Sequence, residues 1–278
     1  MSTGRFAVVG NPVAHSLSPD IHQAFALQTG VALSYEKLLA PVEEFAAAVD
    51  AFRADGGCGV NVTVPFKGDA FRYADTSEAA AARAGAVNTL KFSADRVLGF
   101  NTDGVGLLRD ITRRHGVELQ GHRVLMLGAG GAARGVLAPL LAAGPGTLVI
   151  ANRTPAKAAE LADLFRQEAA SAGVELAGQG LPVAEPFDVI VNATALGLAD
   201  DGIVPLTPAA VAGAFCYDMS YGSNARFCHW SRAAGAATSV DGLGMLVEQA
   251  AESFRIWHDV APATQPVVDT LRRQLDNP

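Results

Sequence analysis

Three short clusters in the first hundred residues carry side chains that an acidic, hydroxylated small molecule needs. Asn11-Pro-Val-Ala-His15-Ser16-Leu17-Ser18-Pro19 places two hydroxyls at a helix start, directly behind an apolar strand. Hydroxyls and free backbone N–H groups at such a start can hold a carboxylate. Asn61-Val-Thr63-Val-Pro65-Phe66-Lys67 alternates, so Asn61 and Thr63 share one face of a strand and Val62 and Val64 the other. Asn88 and Asn101-Thr102-Asp103-Gly104 add amides and a carboxylate. Each cluster has a plainer reading. One of Ser16 and Ser18 would suffice to cap a helix, Asp103 could cap the next, and Lys67 could be solvated at a strand end. Taken together they suit a polyhydroxylated acid: hydroxyls anchor its carboxylate, amides and a carboxylate hold its alcohols, and a lysine handles a proton. Lysine is a proton donor near neutrality, its free side chain having a pKa of about 10.4. That suits the reduction of a ketone. As base for alcohol oxidation it would first have to lose the proton, which a neighbouring carboxylate opposes and desolvation favours. It could instead act as an electrostatic and hydrogen-bonding group on the developing alkoxide.

A second kind of chemistry is legible at Gly128-Ala129-Gly130-Gly131-Ala132-Ala133. The apolar run Arg123–Leu127 reads as a buried parallel strand, and residues 132–143 read as a helix. Glycines at that junction allow a sharp turn and close approach of a pyrophosphate to the helix N-terminus. The next strand, Thr147–Ala151, ends in Asn152-Arg153-Thr154. An acid there would accept hydrogen bonds from NAD ribose hydroxyls, whereas Arg153 attracts a 2′-phosphate. The expected cofactor is therefore NADP, and the expected reaction class is redox. Histidines 15, 22, 115, 122, 229 and 258 show no paired ligand spacing, so no metal site is expected. There is no G-x-S-x-G run either.

The elements that must position these groups alternate in type. Phe6–Val9, Leu33–Leu39 and Gly59–Val64 read as strands. Pro19–Gln28, with Ser18 as N-cap, and Val42–Ala54 read as helices between them. Short helices follow near Ala70 and Ala80, then a hairpin of Val87–Phe92 and Val97–Phe100 around Ala94-Asp95. A helix over Gly104–Arg114 links to a second strand–helix set with strands at 123, 147, 187 and 214. Beyond Asp241 the pattern is helical, at Met245–Val260 and Pro266–Leu275. The expected fold is α/β with two domains: an N-terminal α/β substrate domain completed by C-terminal helices, and a Rossmann-type NADP-binding domain. The boundaries read as 1–103, 104–241 and 242–278, the last packing back on the first.

The chain has 278 residues, half of them hydrophobic, and a formal net charge of −7. That length buries a large core. No Lys/Arg cluster could neutralise a row of phosphates, so nucleic acid is not an expected partner. The apolar stretch from Val124 to Ala151 is interrupted by Arg134 and Gly144-Pro-Gly146 and reads as strand–helix–strand, so no membrane partner is expected. Cys58, Cys216 and Cys228 are widely spaced and read as reduced, buried thiols of a cytoplasmic protein. The partner is a small molecule. The sequence does not set an oligomeric state, a homodimer being one option.

These motifs resemble the NADP-dependent shikimate dehydrogenase family over nearly the whole chain. The resemblance rests on Gly10-Asn-Pro12, Ser16-Leu-Ser18-Pro19, Asn61–Lys67, Gly85-Ala-Val-Asn88-Thr89 and Asn101–Gly104. It continues through Gly128–Ala132, Asn152-Arg-Thr154, Asn192-Ala-Thr194, Tyr217-Asp218-Met219 and Gly242–Gln249. It implies reversible reduction of 3-dehydroshikimate to shikimate. Lys67 and Asp103 would be the catalytic pair. Ser16 and Ser18 would bind the carboxylate, Thr63, Asn88, Asp103 and Gln249 the hydroxyls, and Tyr221 would help close the site. Gly128, Ala129, Gly130, Gly131 and Ala132 would cradle NADP, with Asn152, Arg153, Thr154 and Lys157 around its 2′-phosphate. Thr194, Met219, Gly242 and Met245 would complete the cofactor contacts, the last two near the nicotinamide. One departure is Ala195-Leu196, where Ser or Pro usually follows Asn-Ala-Thr; a tuning effect on the cofactor is expected. Two rival readings remain: a quinate/shikimate dehydrogenase using NAD, and a non-catalytic NADPH-binding sensor on the same scaffold.

Overall fold

The structure, a computed structural model, describes residues 3–194 and 206–276. Ala195 and Leu196 lie outside these. The chain forms two compact units, Met1–Gly106 with Val247–Pro278, and Leu107–Leu246. Both have the α/β architecture expected from the sequence.

In the first unit β1 (Gly4–Gly10), α1 (Ser18–Thr29), β2 (Leu33–Leu39), α2 (Phe45–Ala54), β3 (Gly57–Val62), α3 (Lys67–Tyr73), β4 (Thr76–Ser77), α4 (Ala79–Ala84), β5 (Thr89–Phe92), β6 (Val97–Phe100) and α5 (from Asp103) follow one another. The strands make one mixed sheet in the order β2-β1-β3-β5-β6-β4. β1 runs parallel to β2 and β3, while β5 is antiparallel to β3 and β6. Because β1 is buried on both faces, its sequence is nearly all apolar rather than alternating. Ala7 and Val9 enter a core with Val60, Val62, Phe66 and Leu90. Phe6 packs on Trp257, with ring centroids 4.6 Å apart. The second helix starts at Phe45 rather than Val42, because residues 41–44 form a turn in which Glu44 N–H donates to Pro41 O.

The second unit contains β7 (Arg123–Leu127), α6 (Gly131–Ala142), β8 (Thr147–Asn152), α7 (Pro155–Leu164), α8 (Arg166–Ala172), β9 (Glu175–Gly180), β10 (Val189–Asn192), α9 (Pro208–Val211), β11 (Phe215–Asp218), α10 (Arg226–Ala233) and β12 (Thr238–Asp241). Its sheet is parallel throughout, in the order β12-β11-β10-β7-β8-β9. Numbered within the unit, this is the 3-2-1-4-5-6 order of a dinucleotide-binding fold, with the order reversing between β7 and β10. Sequence periodicity misses β9 and β12. Both are edge strands, Glu-Leu-Ala-Gly-Gln-Gly and Thr-Ser-Val-Asp, with no apolar run to mark them. Gly178 in β9 is needed for packing, since a Cβ there would lie 2.4 Å from the Ala158 backbone of α7. The helix expected over Gly104–Arg114 is α-helical only from Asp103 to Arg109, and Asp110–Arg114 form a π-helical turn.

The chain ends in α11 (Leu243–His258) and α12 (Gln265–Asp276). Residues 247–258 of α11 lie on the first sheet. Trp257 Nε1 donates to Leu90 O at 3.1 Å, and Lys91 Nζ to Ile256 O at 2.6 Å. Phe254 meets Phe25 of α1 edge-on at 5.7 Å. Burying each such ring contributes roughly 1.5–3 kcal/mol. Gly59 is what lets Trp257 approach, because a Cβ there would lie 2.6 Å from both Leu90 O and Trp257 Nε1. Gly59→Ala should therefore destabilise the protein. The gain from a stiffer unfolded chain, about 0.4–1 kcal/mol, is smaller than the 1–3 kcal/mol cost typical of overpacking. Thermal unfolding followed by circular dichroism should show a lower Tm, and an unchanged or higher Tm would refute this packing account.

Candidate functional site

The carboxyl ends of β1 and β3 carry two polar turns side by side. Thr63 N–H donates to Val9 O and Asn11 N–H to Val64 O, which ties the turn after β1 to the turn after β3. In the first, Ser18 N–H and Ser16 Oγ are 3.3 Å apart, and the two hydroxyl oxygens are 3.1 Å apart. Leu17, not Ser18, holds the N-cap position, and no side chain caps it. Ser18 is the first helical residue and is buried. Ser16 Oγ thus serves the first helical N–H, and capping leaves only the Ser18 hydroxyl unexplained. Thr63 sits beside Gly10, where a Cβ would lie only 2.4 Å from the Thr63 methyl.

Lys67 opens α3 behind the buried Phe66, and its carbonyl accepts Val87 N–H at 2.9 Å. That bond sets the lysine beside the loop that carries Asn88. Lys67 Nζ lies 2.5 Å from Asp103 Oδ2, with side-chain exposures of 23% and 7%. Asp103 does not cap its own helix. Asn101 Oδ1 accepts the Asp103 N–H at 3.1 Å, and Asn101 Nδ2 donates to Ala86 O at 3.0 Å. Both oxygens of Asp103 are thereby free for other donors, and Oδ1 accepts Asn88 Nδ2 at 2.8 Å. The Asn88 oxygen accepts Thr102 N–H at 2.9 Å. Because a backbone N–H can only donate, this contact fixes which way the amide points. Gln249 Oε1 lies 3.3 Å from both Asn88 Nδ2 and Thr102 Oγ1. The first unit therefore brings Lys67, Asn88, Asp103 and Gln249 into one hydrogen-bonded cluster. A half-exposed ammonium on a buried carboxylate, ringed by amides and a hydroxyl, can hold an alcohol or ketone oxygen and exchange a proton with it.

In the second unit Gly128 leaves β7 with φ +104°, and a Cβ there would press on Ala193 O and the Thr194 methyl at 3.2 and 3.1 Å. Gly130 is the N-cap of α6 and Gly131 its first residue. A Cβ at either would meet nothing within 4 Å, so neither glycine is demanded by packing within the chain. Ala129 is buried between them and the strand, and Ala132 follows in the first helical turn. The open backbone at a helix N-terminus, at the reversal of the strand order, fits a dinucleotide pyrophosphate. Asn152 ends β8 and its Nδ2 donates to Thr154 O at 3.0 Å, while Arg153, Thr154 and Lys157 are exposed beside it. Two cations with no carboxylate at this strand end suit a phosphate on the ribose. Thr194 Oγ1 donates to Asn192 Oδ1 at 2.6 Å, and Asn192 Nδ2 to the buried Asp218 at 3.2 Å. Burial raises the Asp218 pKa against the pull of its hydrogen-bond donors. Met219 N–H is held by Asn192 O, and Gly242 packs on the Met219 carbonyl, where a Cβ would lie 2.5 Å away. Met245 is buried in the core of this unit, and Tyr221 is half-buried just beyond β11.

Residues 8–90 match the shikimate dehydrogenase substrate binding domain, 110–198 the shikimate / quinate 5-dehydrogenase family, and 242–272 the shikimate 5′-dehydrogenase C-terminal domain. A shikimate dehydrogenase (NADP(+)) of Alkalilimnicola ehrlichii is 54% identical, covering 97% of this chain and 99% of the relative. The chain belongs to the shikimate dehydrogenase family. A second relative so named, from Aromatoleum aromaticum, is 52% identical over 99% of both chains. The shikimate 5-dehydrogenase of Thermus thermophilus, crystallised with NADP(H) and shikimate, superposes with a TM-score of 0.85 at 35% identity over 98% of this chain and 99% of that one.

Family motifs point to Asn61 but not to what surrounds it. Asn61 is buried, and its Oδ1 accepts Tyr35 OH at 2.7 Å and lies 3.2 Å from His22 Nε2. His22 is fully buried and stacks on Tyr35 with ring centroids 4.3 Å apart. A polar residue flanked by Val60 and Val62 on a core strand is a signal that partners must exist, though not which. Cys58 also departs from expectation: it is exposed, whereas Cys216 and Cys228 are buried.

Burial pushes the His22 pKa down to about 3. The folded protein therefore keeps His22 neutral, while an unfolded histidine takes a proton near pH 6.5. Stability should fall with pH from about 6.5 towards 3, by up to about 1.4 kcal/mol per unit for this one group. Burial also lowers the pKa of His115 and of His258, which adds slope of the same sign. In urea unfolding across this range, His22→Gln should show a shallower pH slope than the wild type. Identical slopes would refute the assignment.

Proposed function

We propose that this chain is an NADP-dependent shikimate dehydrogenase. It catalyses the reversible reduction of 3-dehydroshikimate to shikimate, a step in making chorismate and the aromatic amino acids. The observation that carries the reading is the contact of Lys67 Nζ with Asp103 Oδ2 at 2.5 Å, with Asn88 on the other carboxylate oxygen. The substrate domain is residues 1–103 with the C-terminal helices from 242, and the NADP domain is 104–241. No helix among the described residues is long and apolar enough to cross a membrane. The enzyme works in the cytoplasm, on a small-molecule substrate.

Lys67 Nζ donates the proton that the ketone oxygen takes up, and in the reverse direction it receives it. Asp103 and Asn88 hold the neighbouring hydroxyl and keep the lysine aimed at the reacting oxygen. Gln249 and Thr63 bind further hydroxyls, and Ser16 and Ser18 anchor the carboxylate. NADP(H), when bound, supplies or takes up the hydride. Gly128 to Ala132 would hold its pyrophosphate through backbone N–H groups, and Asn152, Arg153, Thr154 and Lys157 would hold its 2′-phosphate. Thr194, Met219, Gly242 and Met245 would line the cofactor, and Tyr221 is assigned to substrate binding. Arg153 and Lys157 favour NADP over NAD, because a 2′-phosphate gives them an anion to bind.

An assay following NADPH oxidation with 3-dehydroshikimate, run beside NAD(P)+ reduction with shikimate and quinate, tests the reading. Turnover is expected with shikimate and 3-dehydroshikimate, with kcat/KM higher for NADP+ than for NAD+. No turnover above background at neutral to alkaline pH would refute it. Lys67→Ala should lower kcat by about 10²–10⁴-fold, the usual worth of a positioned proton donor, with a much smaller rise in KM. A kcat within a few-fold of wild type would remove the lysine from the chemistry.

A further inference from the structure

A buried line of hydrogen bonds runs from Tyr35 to the Lys67–Asp103 pair, and the reaction itself does not require it. The Tyr35 hydroxyl, on β2, donates to Asn61 Oδ1 at 2.7 Å. Asn61 Nδ2 donates to Thr89 Oγ1 at 3.1 Å and to Ser253 Oγ at 2.9 Å. Thr89 Oγ1 donates to Asn88 Oδ1 at 3.0 Å, and Asn88 Nδ2 donates to Asp103. Asn61, Asn88, Thr89 and Asp103 are all buried, so water cannot substitute for a missing partner.

The order of donors along this line is directional. A tyrosine hydrogen spent on Asn61 Oδ1 turns the Asn61 amide hydrogens towards Thr89 and Ser253. Thr89, accepting there, has its own hydrogen for Asn88 Oδ1. Thr89 thereby adds a second donor to the Asn88 oxygen, which Thr102 N–H already holds away from Asp103, and the Asn88 amide hydrogens face the carboxylate. Were Asn61 turned round, Thr89 would spend its hydrogen on Asn61 and Asn88 would lose a donor.

We propose that Tyr35, Asn61 and Thr89 are positioning residues that hold Asn88 and Asp103 in their catalytic orientation. The inference rests on the dehydrogenase reading above. It goes beyond that reading by giving a role in turnover to side chains that touch neither substrate nor reacting atoms.

Tyr35→Phe is the cleanest probe, because the ring stacked on His22 stays and one oxygen is lost. Losing one buried hydrogen bond should lower kcat/KM for shikimate about ten-fold. KM for NADP+ should stay within two-fold of wild type, since the altered line lies wholly in the first unit. Thr89→Val, which keeps the shape and removes the hydroxyl, should do the same, and Thr89→Ser should restore most of the rate. Tm is measured on each variant. Two results overturn the inference. In one, Tyr35→Phe and Thr89→Val keep kcat and shikimate KM within two-fold of wild type. In the other, Thr89→Ser is as impaired as Thr89→Val, with KM for NADP+ rising in step. A wild-type protein that turns nothing over overturns the dehydrogenase reading and this inference together; unaffected variants of an active wild type overturn this inference alone.

Discussion

An ion pair between Lys67 and Asp103 is only as useful as the neutral groups that aim it. Asp103 is nearly buried, and a buried carboxylate with a single partner is costly. Here both oxygens are satisfied, one by an ammonium and one by an amide. Asn88 in turn has its oxygen taken by Thr102 and Thr89 and its hydrogens shared with Asp103 and Gln249. Satisfying these groups accounts for much of the first unit. Asn88 N–H and C=O sit in the ladder between Phe100 and Val62, so the amide is carried on the sheet itself. α11 supplies Gln249 and Ser253, and that helix is fastened to the sheet through Leu90 and Lys91. The C-terminal helix is therefore part of the site as well as part of the core.

The two units solve different problems with similar materials. In the second, the parallel sheet ends in open backbone, and the chain leaves space at Gly130 and Gly131 rather than filling it. The proposed cofactor site there relies on main-chain donors and two exposed cations, which makes it tolerant of side-chain identity. In the first, the proposed site is built of side chains whose directions are fixed by one another. A change in any of them propagates, because each buried hydroxyl or amide has a limited number of hydrogens to assign.

How much of this could be read beforehand follows the same division. Apolar runs such as Phe6–Val9 and Arg123–Leu127 announce buried strands, and glycines after a strand announce the turn into a helix. Motif residues such as Lys67, Asn88 and Asp103 stand out because they interrupt otherwise apolar or helical patterns. β9 and β12 escape because an edge strand needs only one neighbour and half a hydrophobic face. Tyr35 escapes for another reason. A tyrosine on a half-exposed strand looks ordinary until the fold sets its hydroxyl against Asn61, twenty-six residues away along the chain. Asp103 was read as a possible helix cap, and only the three-dimensional arrangement shows that Asn101 does that work instead.

Gly10 carries a last consequence. Its backbone is ordinary strand, without the positive φ that usually selects glycine, and what excludes a larger residue is the methyl of Thr63. Positions 10 and 63 therefore form one unit of variation. Where Thr63 becomes serine, the obstructing methyl disappears and the nearest remaining atom, Val64 O, is 3.4 Å from the new Cβ. Alanine at 10 then becomes admissible. Among relatives the two positions should drift together, and a glycine that looks like a turn signal records the shape of the side chain beside it.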